Sequence, residues 1–318
     1  MRYAQGIQTR RDAIESSRTR TGPARKALGV LFAAIVLGGC ASTTPQRPVT
    51  ALDLALTRGE TDPNKIIATA DEKISRGELR GALILYAEAV KVEDDPILWT
   101  TIGRLQATLG NSWQAHHAYE EALSLDPDNV DALEGAGLIL LDSGATIEAK
   151  EMLAHAVDVD ASRWRAHNGL GIIADLEKDY AVAIEHYAKG LEIFPHSAML
   201  HNNRGYSRYL SADFIRAESD YIEALTIDKD YETAWKNLGL LYARTRRYEE
   251  AVEVLQLSGD KPVAFNDVGY IALLNQDYAE AEALLNEALR LSPRHFETAY
   301  QNRELVRSRI RTSESGPR

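Results

Sequence analysis

Two residue types recur at one fixed interval, and that interval leaves few folds open. Gly103, Gly137, Gly171, Gly205 and Gly239 each stand 34 positions after the last. Ala115, Ala149, Ala183, Ala217 and Ala251 repeat in phase with them, followed by Tyr119/Ala122, Leu153/Ala156, Tyr187/Gly190 and Tyr221/Ala224. Interleaved ladders of this period mark an array of helical units, each packed on its neighbours. The small residues have a packing cause, because two helices approach closely only where one presents almost no side chain. A bulkier residue four positions before each glycine fills the space beside that contact: Trp99, Leu133, His167, His201 and Trp235.

Each unit reads as two antiparallel helices. Ile102, Leu105 and Leu109 fall at helical spacing, with Trp99 three residues earlier. Asp95 supplies a capping side chain, and Pro96 takes the first helical position, where its missing N–H costs nothing. Gly110 permits the turn into the second helix, as do Gly77 and Gly144 in equivalent places. Pro127, Pro195 and Pro293 close second helices. The arrangement Trp99–Ile102–Gly103…Ala115…Tyr119…Ala122…Pro127 resembles the tetratricopeptide repeat. The resemblance implies an all-α, right-handed superhelical solenoid of about seven helix pairs over 63–294, with a capping helix and a disordered tail in 295–318.

The first unit is degenerate, with Ala70 in the glycine place but Gly77, Ala82, Tyr86 and Ala89 in phase. The sixth is short: Ser258-Gly259-Asp260-Lys261-Pro262 follows Leu255, and Gly269 comes 30 residues after Gly239. A tolerated deletion explains this more simply than a purposeful bend. The seventh carries Phe265, Val268, Gly269, Ala281, Leu285, Ala288 and Pro293, and a polar helix over 296–310 covers the open end, with the tail beginning at Arg311.

The first forty residues read as an address. Residues 1–39 carry a net charge of +5, which leaves −16 for the rest of a chain whose total is −11. Arg10, Arg11, Arg18, Arg20, Arg25 and Lys26 precede an uncharged run from Ala27 to Gly39. That run is too short for a spanning helix and fits a signal-peptide core. It ends in Leu37-Gly38-Gly39-Cys40, which resembles the box of bacterial lipoprotein signals. The resemblance implies cleavage before Cys40, a covalent lipid on its thiol, and anchoring at the periplasmic face of the outer membrane, since Ala41 rather than aspartate follows. Cys40 is the one cysteine, so no intramolecular disulfide forms. The basic region is long for such a signal, so the leader is extended or translation starts further on. Residues 40–62, rich in Ser, Thr and Pro, form a flexible tether.

An acidic body argues against nucleic acid, whose phosphates need Lys and Arg. No catalytic motif is present: no His-Glu-x-x-His, no Gly-x-Ser-x-Gly, no phosphate-binding or dinucleotide glycine loop. His116 and His117 are adjacent on a helix and diverge, while His167 and His201 occupy the bulky packing position. The chain therefore reads as non-enzymatic, with no metal, no cofactor beyond the lipid, and no small-molecule substrate.

A face of the first helices is left for a partner. Residues three before, one after and four after each glycine share one side of the helix. They include Asn168, Asn202, Tyr206, Tyr209, Lys236, Asn266 and Tyr270. These are the candidate groove residues for a protein or peptide segment, since carboxamides pair with backbone donors and acceptors and tyrosine gives contact area at low entropy cost. The asparagines are equally accounted for as polar residues on exposed helices. Arg204 and Arg208 fall on a packing face, and either pair with Glu218 or Asp220 or mark a loosely packed unit. A lipobox joined to such an array resembles the lipoproteins of the tight-adherence (Flp) pilus secretion system and, more distantly, the pilotins of type IV pili. That implies a scaffold or assembly factor whose partner is an outer-membrane secretin or pilus component. An adaptor that docks cell-wall hydrolases or proteases is the alternative.

Overall fold

The computed structural model describes residues 62–292 and 296–314, all within one compact unit, Leu52–Arg318. The signal segment, Leu37, Gly38, Gly39 and Cys40, the tether up to residue 61, Pro293 and residues 315–318 lie outside the described residues. Among the described residues there are fifteen α-helices and no strand. They form seven consecutive pairs: α1 (Pro63–Ser75) with α2 (Leu79–Val92), α3 (Pro96–Thr108) with α4 (Ser112–Leu125), and α5 (Val130–Asp142) with α6 (Thr146–Val159). Next come α7 (Trp164–Leu176) with α8 (Tyr180–Ile193), α9 (Ala198–Leu210) with α10 (Phe214–Ile227), and α11 (Glu232–Arg244) with α12 (Tyr248–Ser258). The last pair is α13 (Lys261–Leu274) with α14 (Tyr278–Leu291), and a single helix α15 (Glu297–Glu314) packs on both of its members.

The glycine ladder is a row of sockets for second-helix side chains. A Cβ at Gly103 would stand 2.6 Å from the Tyr119 ring, at Gly171 2.6 Å from Tyr187, at Gly205 2.9 Å from Tyr221, and at Gly239 2.5 Å from Leu255. The alanine ladder lies wholly buried beside these contacts. All seven second-helix plugs at this register, Tyr86, Tyr119, Leu153, Tyr187, Tyr221, Leu255 and Leu285, are themselves buried, and in the six pairs that carry the glycine the plug is seated on bare backbone.

Turn chemistry repeats just as strictly. Within each pair one residue takes the left-handed conformation: Gly77, Gly110 and Gly144, then Lys178, Ala212, Arg246 and Gln276 with φ of 63° to 67°. The bonds Gly110 N–H to Ala107 O and Asn111 N–H to Gln106 O, at 3.0 and 2.9 Å, close a Schellman turn that the other pairs reproduce. Sequence marks only the glycine cases; in the later pairs the paired bonds hold a side-chain-bearing residue in that conformation. Asp95 caps α3 as its position suggests, accepting from Ile97 N–H at 2.7 Å ahead of Pro96.

The short sixth unit loses its residues from the second helix and from the connection that follows it. α12 has 11 residues where the other second helices have 14, and Pro262 starts α13 almost at once. The capping helix runs past Ile310 to Glu314, beyond the 296–310 expected for it. Arg311-Thr312-Ser313-Glu314 contains no breaker, and the first ones, Gly316 and Pro317, come later.

Candidate partner-binding face

Successive pairs touch through the second helix of one and the first helix of the next, and the first helices α3, α5, α7, α9, α11, α13 and α15 also touch one another in turn. Second helices of successive pairs make no comparable contact among the described residues. First helices therefore line the inner face of the array, and residues at one register form rows across it.

Asn168, Asn202 and Asn266 are buried there, 8%, 4% and 6% exposed. Each accepts a hydrogen bond from the next first helix: Asn203 Nδ2 to Asn168 Oδ1 at 3.0 Å, Asn237 Nδ2 to Asn202 Oδ1 at 2.9 Å, and Asn302 Nδ2 to Asn266 Oδ1 at 3.0 Å. These carboxamides rivet neighbouring repeats instead of standing open to a partner's backbone. Their donors Asn203, Asn237 and Asn302 escaped the sequence reading; an Asn two before the glycine, facing an Asn three before it one unit earlier, is the signal that finds them. The α11–α13 junction has no such rung, because Lys236 and Asp267 take the two places. Burial raises the pKa of the Asp267 carboxyl, and the Asn266 amide, donating at 3.0 Å, partly offsets it.

The other candidate residues do reach the surface. Tyr206 and Tyr270 are exposed, Tyr209 is half-buried, and the exposed Lys236 ammonium lies 3.6 Å from Glu232. Tyr206 stacks on Tyr209, centroids 6.4 Å apart, and Tyr209 packs against Phe214 at 5.8 Å. Tyr206 and Tyr270 belong to a longer row, one residue after each glycine, that opens on the exposed Arg104 and continues as Leu138, Ile172, Tyr206, Leu240 and Tyr270. The Asn302–Asn266 rung sets α15 in the same register and adds Leu305, exposed like the tyrosines, as a sixth apolar member. Sequence reasoning missed Leu305, since α15 carries Glu304 where the earlier first helices have glycine.

The charged groups near this face are mostly used by the fold. Asp220 is 3% exposed and receives Arg204 at 2.7 and 3.1 Å and Arg208 at 2.6 Å. Burial works to raise its pKa, but the imidazole and guanidinium groups around it outweigh that and hold it below the usual carboxylate range. Of the two partners open in the sequence it is Asp220 that holds these arginines; Glu218 instead accepts from Arg247 at 2.9 Å and from the Tyr242 hydroxyl at 3.0 Å. His201 packs beside this cluster, its Nε2 3.1 Å from Pro195 O and its Nδ1 3.8 Å from Asp220. His167 is buried and meets His186, Nδ1 to Nδ1 at 3.2 Å; burial lowers the pKa of both. Asp175 Oδ2 accepts from Tyr187 and Ser207 at 3.0 and 2.9 Å, which ties α7 to α8 and α9. Among the described residues no group of three or more His, Cys, Asp and Glu side chains is placed to hold a metal ion.

A tetratricopeptide repeat model matches residues 100–146, 147–198 and 203–263, and a second model of the same repeat matches 263–295. The type IV pilus assembly protein PilF of Pseudomonas aeruginosa is 27% identical over 157 residues, covering 48% of this chain and 62% of PilF. The BBSome complex member bbs-4 of Caenorhabditis elegans is 26% identical over 167 residues, covering 52% of this chain and 36% of that protein. The chain thus spans less than two thirds of the length of these curated relatives. A solved tetratricopeptide repeat protein from Parabacteroides merdae superposes with a TM-score of 0.54 at 17% identity, covering 77% of this chain and 98% of its own.

Proposed function

Because the chain belongs to the tetratricopeptide-repeat family, we propose that it is a non-catalytic scaffold that holds a protein partner on its inner face and serves assembly of a pilus or secretion system. The observation that carries this reading is the apolar row Leu138–Ile172–Tyr206–Leu240–Tyr270–Leu305, presented on first helices that carboxamide rungs tie together at the α7–α9, α9–α11 and α13–α15 junctions. Large side chains held out on a rigid surface suit protein recognition, where a few aromatic and aliphatic anchors carry most of the binding energy. Relatedness to PilF supports the pilus setting. Anchoring at the periplasmic face of the outer membrane through a lipid on Cys40 rests on the Leu37-Gly38-Gly39-Cys40 box alone. A secretin or pilus component is the partner this reading names.

The test is made in the producing cell. Cys40→Ala should leave a folded protein that no longer fractionates with outer membranes, and retention there contradicts the anchor. Tyr206→Arg with Tyr270→Arg should leave the protein folded and anchored but abolish surface pili; unchanged piliation contradicts the assembly role.

A further inference from the structure

One first helix has an open side. Each of α3, α5, α7, α9, α11, α13 and α15 packs on the second helix of the pair before it, and no second helix precedes α1 among the described residues. Where the preceding helix is present, its plug reaches the residue two before the glycine: a Cβ at Gly135 would strike the Tyr119 ring, and one at Gly169 would stand 2.6 Å from Leu153. In α1, where Ala70 takes the glycine's place, that residue is Ala68, and it is exposed.

The sequence just ahead of α1 repeats what a preceding second helix brings. A plug and a small ladder residue stand 18 and 15 places before the next glycine: Tyr119 and Ala122 before Gly137, Leu153 and Ala156 before Gly171, Tyr187 and Gly190 before Gly205, Tyr221 and Ala224 before Gly239. Counted back from Ala70, the same two places hold Leu52 and Ala55. Leu56 comes next, as Leu123, Val157, Leu191 and Leu225 follow their ladder residues. Thr50 with Asp53 makes a capping box at the start of the run, and Gly59 supplies a stop. Four residues, 59–62, then lead to Pro63, as four lead from Leu125 to Val130.

We propose that residues 51–58 form a short helix docked on the open side of α1, Leu52 over Ala68 and Ala55 beside Lys65, in the manner of a preceding second helix. The end of a repeat stack needs such cover, and a connection of four residues, about 13 Å at full stretch, keeps this segment at α1 and away from distant faces. Charge supports the seat: α1 has Lys65 where later first helices bury Leu98, Ala132 and Ala166, and the segment carries Asp53 beside Leu52. The lysine stem can lie along Ala55 with its ammonium in water. Leu52, Leu54 and Leu56 would also alternate along a strand, but the described residues contain no strand to pair with. On the lipid reading of Cys40, docking shortens the free connection from 22 residues to ten, and a coil of that length spans about 17 Å instead of about 26 Å. The docking itself does not depend on that reading or on the inner-face reading.

Hydrogen exchange followed by mass spectrometry, on the protein purified from its producing cells, tests the contact. Amides of residues 54–58 should exchange at least about tenfold more slowly than in a synthetic peptide of residues 44–62, at any protein concentration. Leu52→Asp, and on the other side of the contact Ala68→Lys, should each abolish that protection and speed exchange in α1 while α9 and α11 keep theirs. Leu54→Asp, at the place Glu121, Lys189 and Glu223 hold in later units, should change nothing. Exchange as fast as in the peptide overturns the docking. Protection that appears only as protein concentration rises overturns it in favour of a second copy on this face. Protection that appears only with vesicles of phosphatidylethanolamine and phosphatidylglycerol overturns it in favour of a membrane surface.

Discussion

Gly171→Ala separates a packing constraint from a helix preference. An alanine Cβ there would lie 2.6, 2.8 and 2.9 Å from three ring atoms of Tyr187, where carbon atoms prefer about 3.5–4.0 Å. The ring cannot move aside cheaply: Tyr187 is 1% exposed, and its hydroxyl donates to Asp175 Oδ2 at 3.0 Å. Overpacking of a buried contact costs about 1–3 kcal/mol, and a demanded shift near 1 Å puts this one in the upper half. Alanine returns about 1 kcal/mol in a helix interior relative to glycine. The net expectation is a loss of about 1–2 kcal/mol, read as a lower urea midpoint at unchanged slope. Gly81→Ala is the control, because a Cβ there meets only the flexible Lys73 side chain, at 3.1 Å, and should stabilise by up to about 1 kcal/mol. Equal stabilisation by both substitutions would refute the idea that the ladder exists to admit second-helix side chains.

Ala212→Gly should raise stability by roughly 1 kcal/mol in the same titration, since Ala212 sits at φ 63° and only glycine takes that conformation freely. Asp220→Ala leaves Arg204 and Arg208 unpaired beside a buried site and should cost about 3–5 kcal/mol, the loss appearing as early unfolding in denaturant. Asn202→Ala removes the acceptor for Asn237 and should cost about 1–3 kcal/mol, with faster amide exchange in α9 and α11. His167 and His186 are held below the usual histidine range by burial, so the unfolded chain takes up protons that the folded one refuses. Their contribution is complete above about pH 6.5 and declines as pH falls below it. His167→Phe should flatten that decline in thermal melts, and an unchanged slope contradicts the assignment.

Much of the fold is written in single residues. Gly103 to Gly239 stand where second-helix side chains seat on first-helix backbone, and Ala115 to Ala251 lie buried beside them, so the sequence shows both the period and the reason for it. The candidate face was legible only in outline. Tyr206, Tyr270 and Lys236 emerge where helical spacing puts them, because periodicity fixes which side of a helix a residue occupies. Periodicity does not say whether a polar residue on that side meets water or the next repeat, and so Asn168, Asn202 and Asn266 turned out buried in carboxamide pairs. The same limit left Arg204 and Arg208 open between two acids on one helix, a choice that α10's rotation against α9 makes. Lys178, Ala212, Arg246 and Gln276 were invisible as turn residues because their conformation is imposed by the bonds around them.

The central claim is that the inner face is the working surface, and photocrosslinking from two positions tests it most directly. A crosslinking amino acid at Tyr206 samples that face, and one at Ile215, 85% exposed near the start of the second helix α10, samples a surface away from it. The account predicts that a pilus or secretion component is trapped in cells from Tyr206 and not from Ile215. The same component trapped from Ile215 and not from Tyr206 would contradict it.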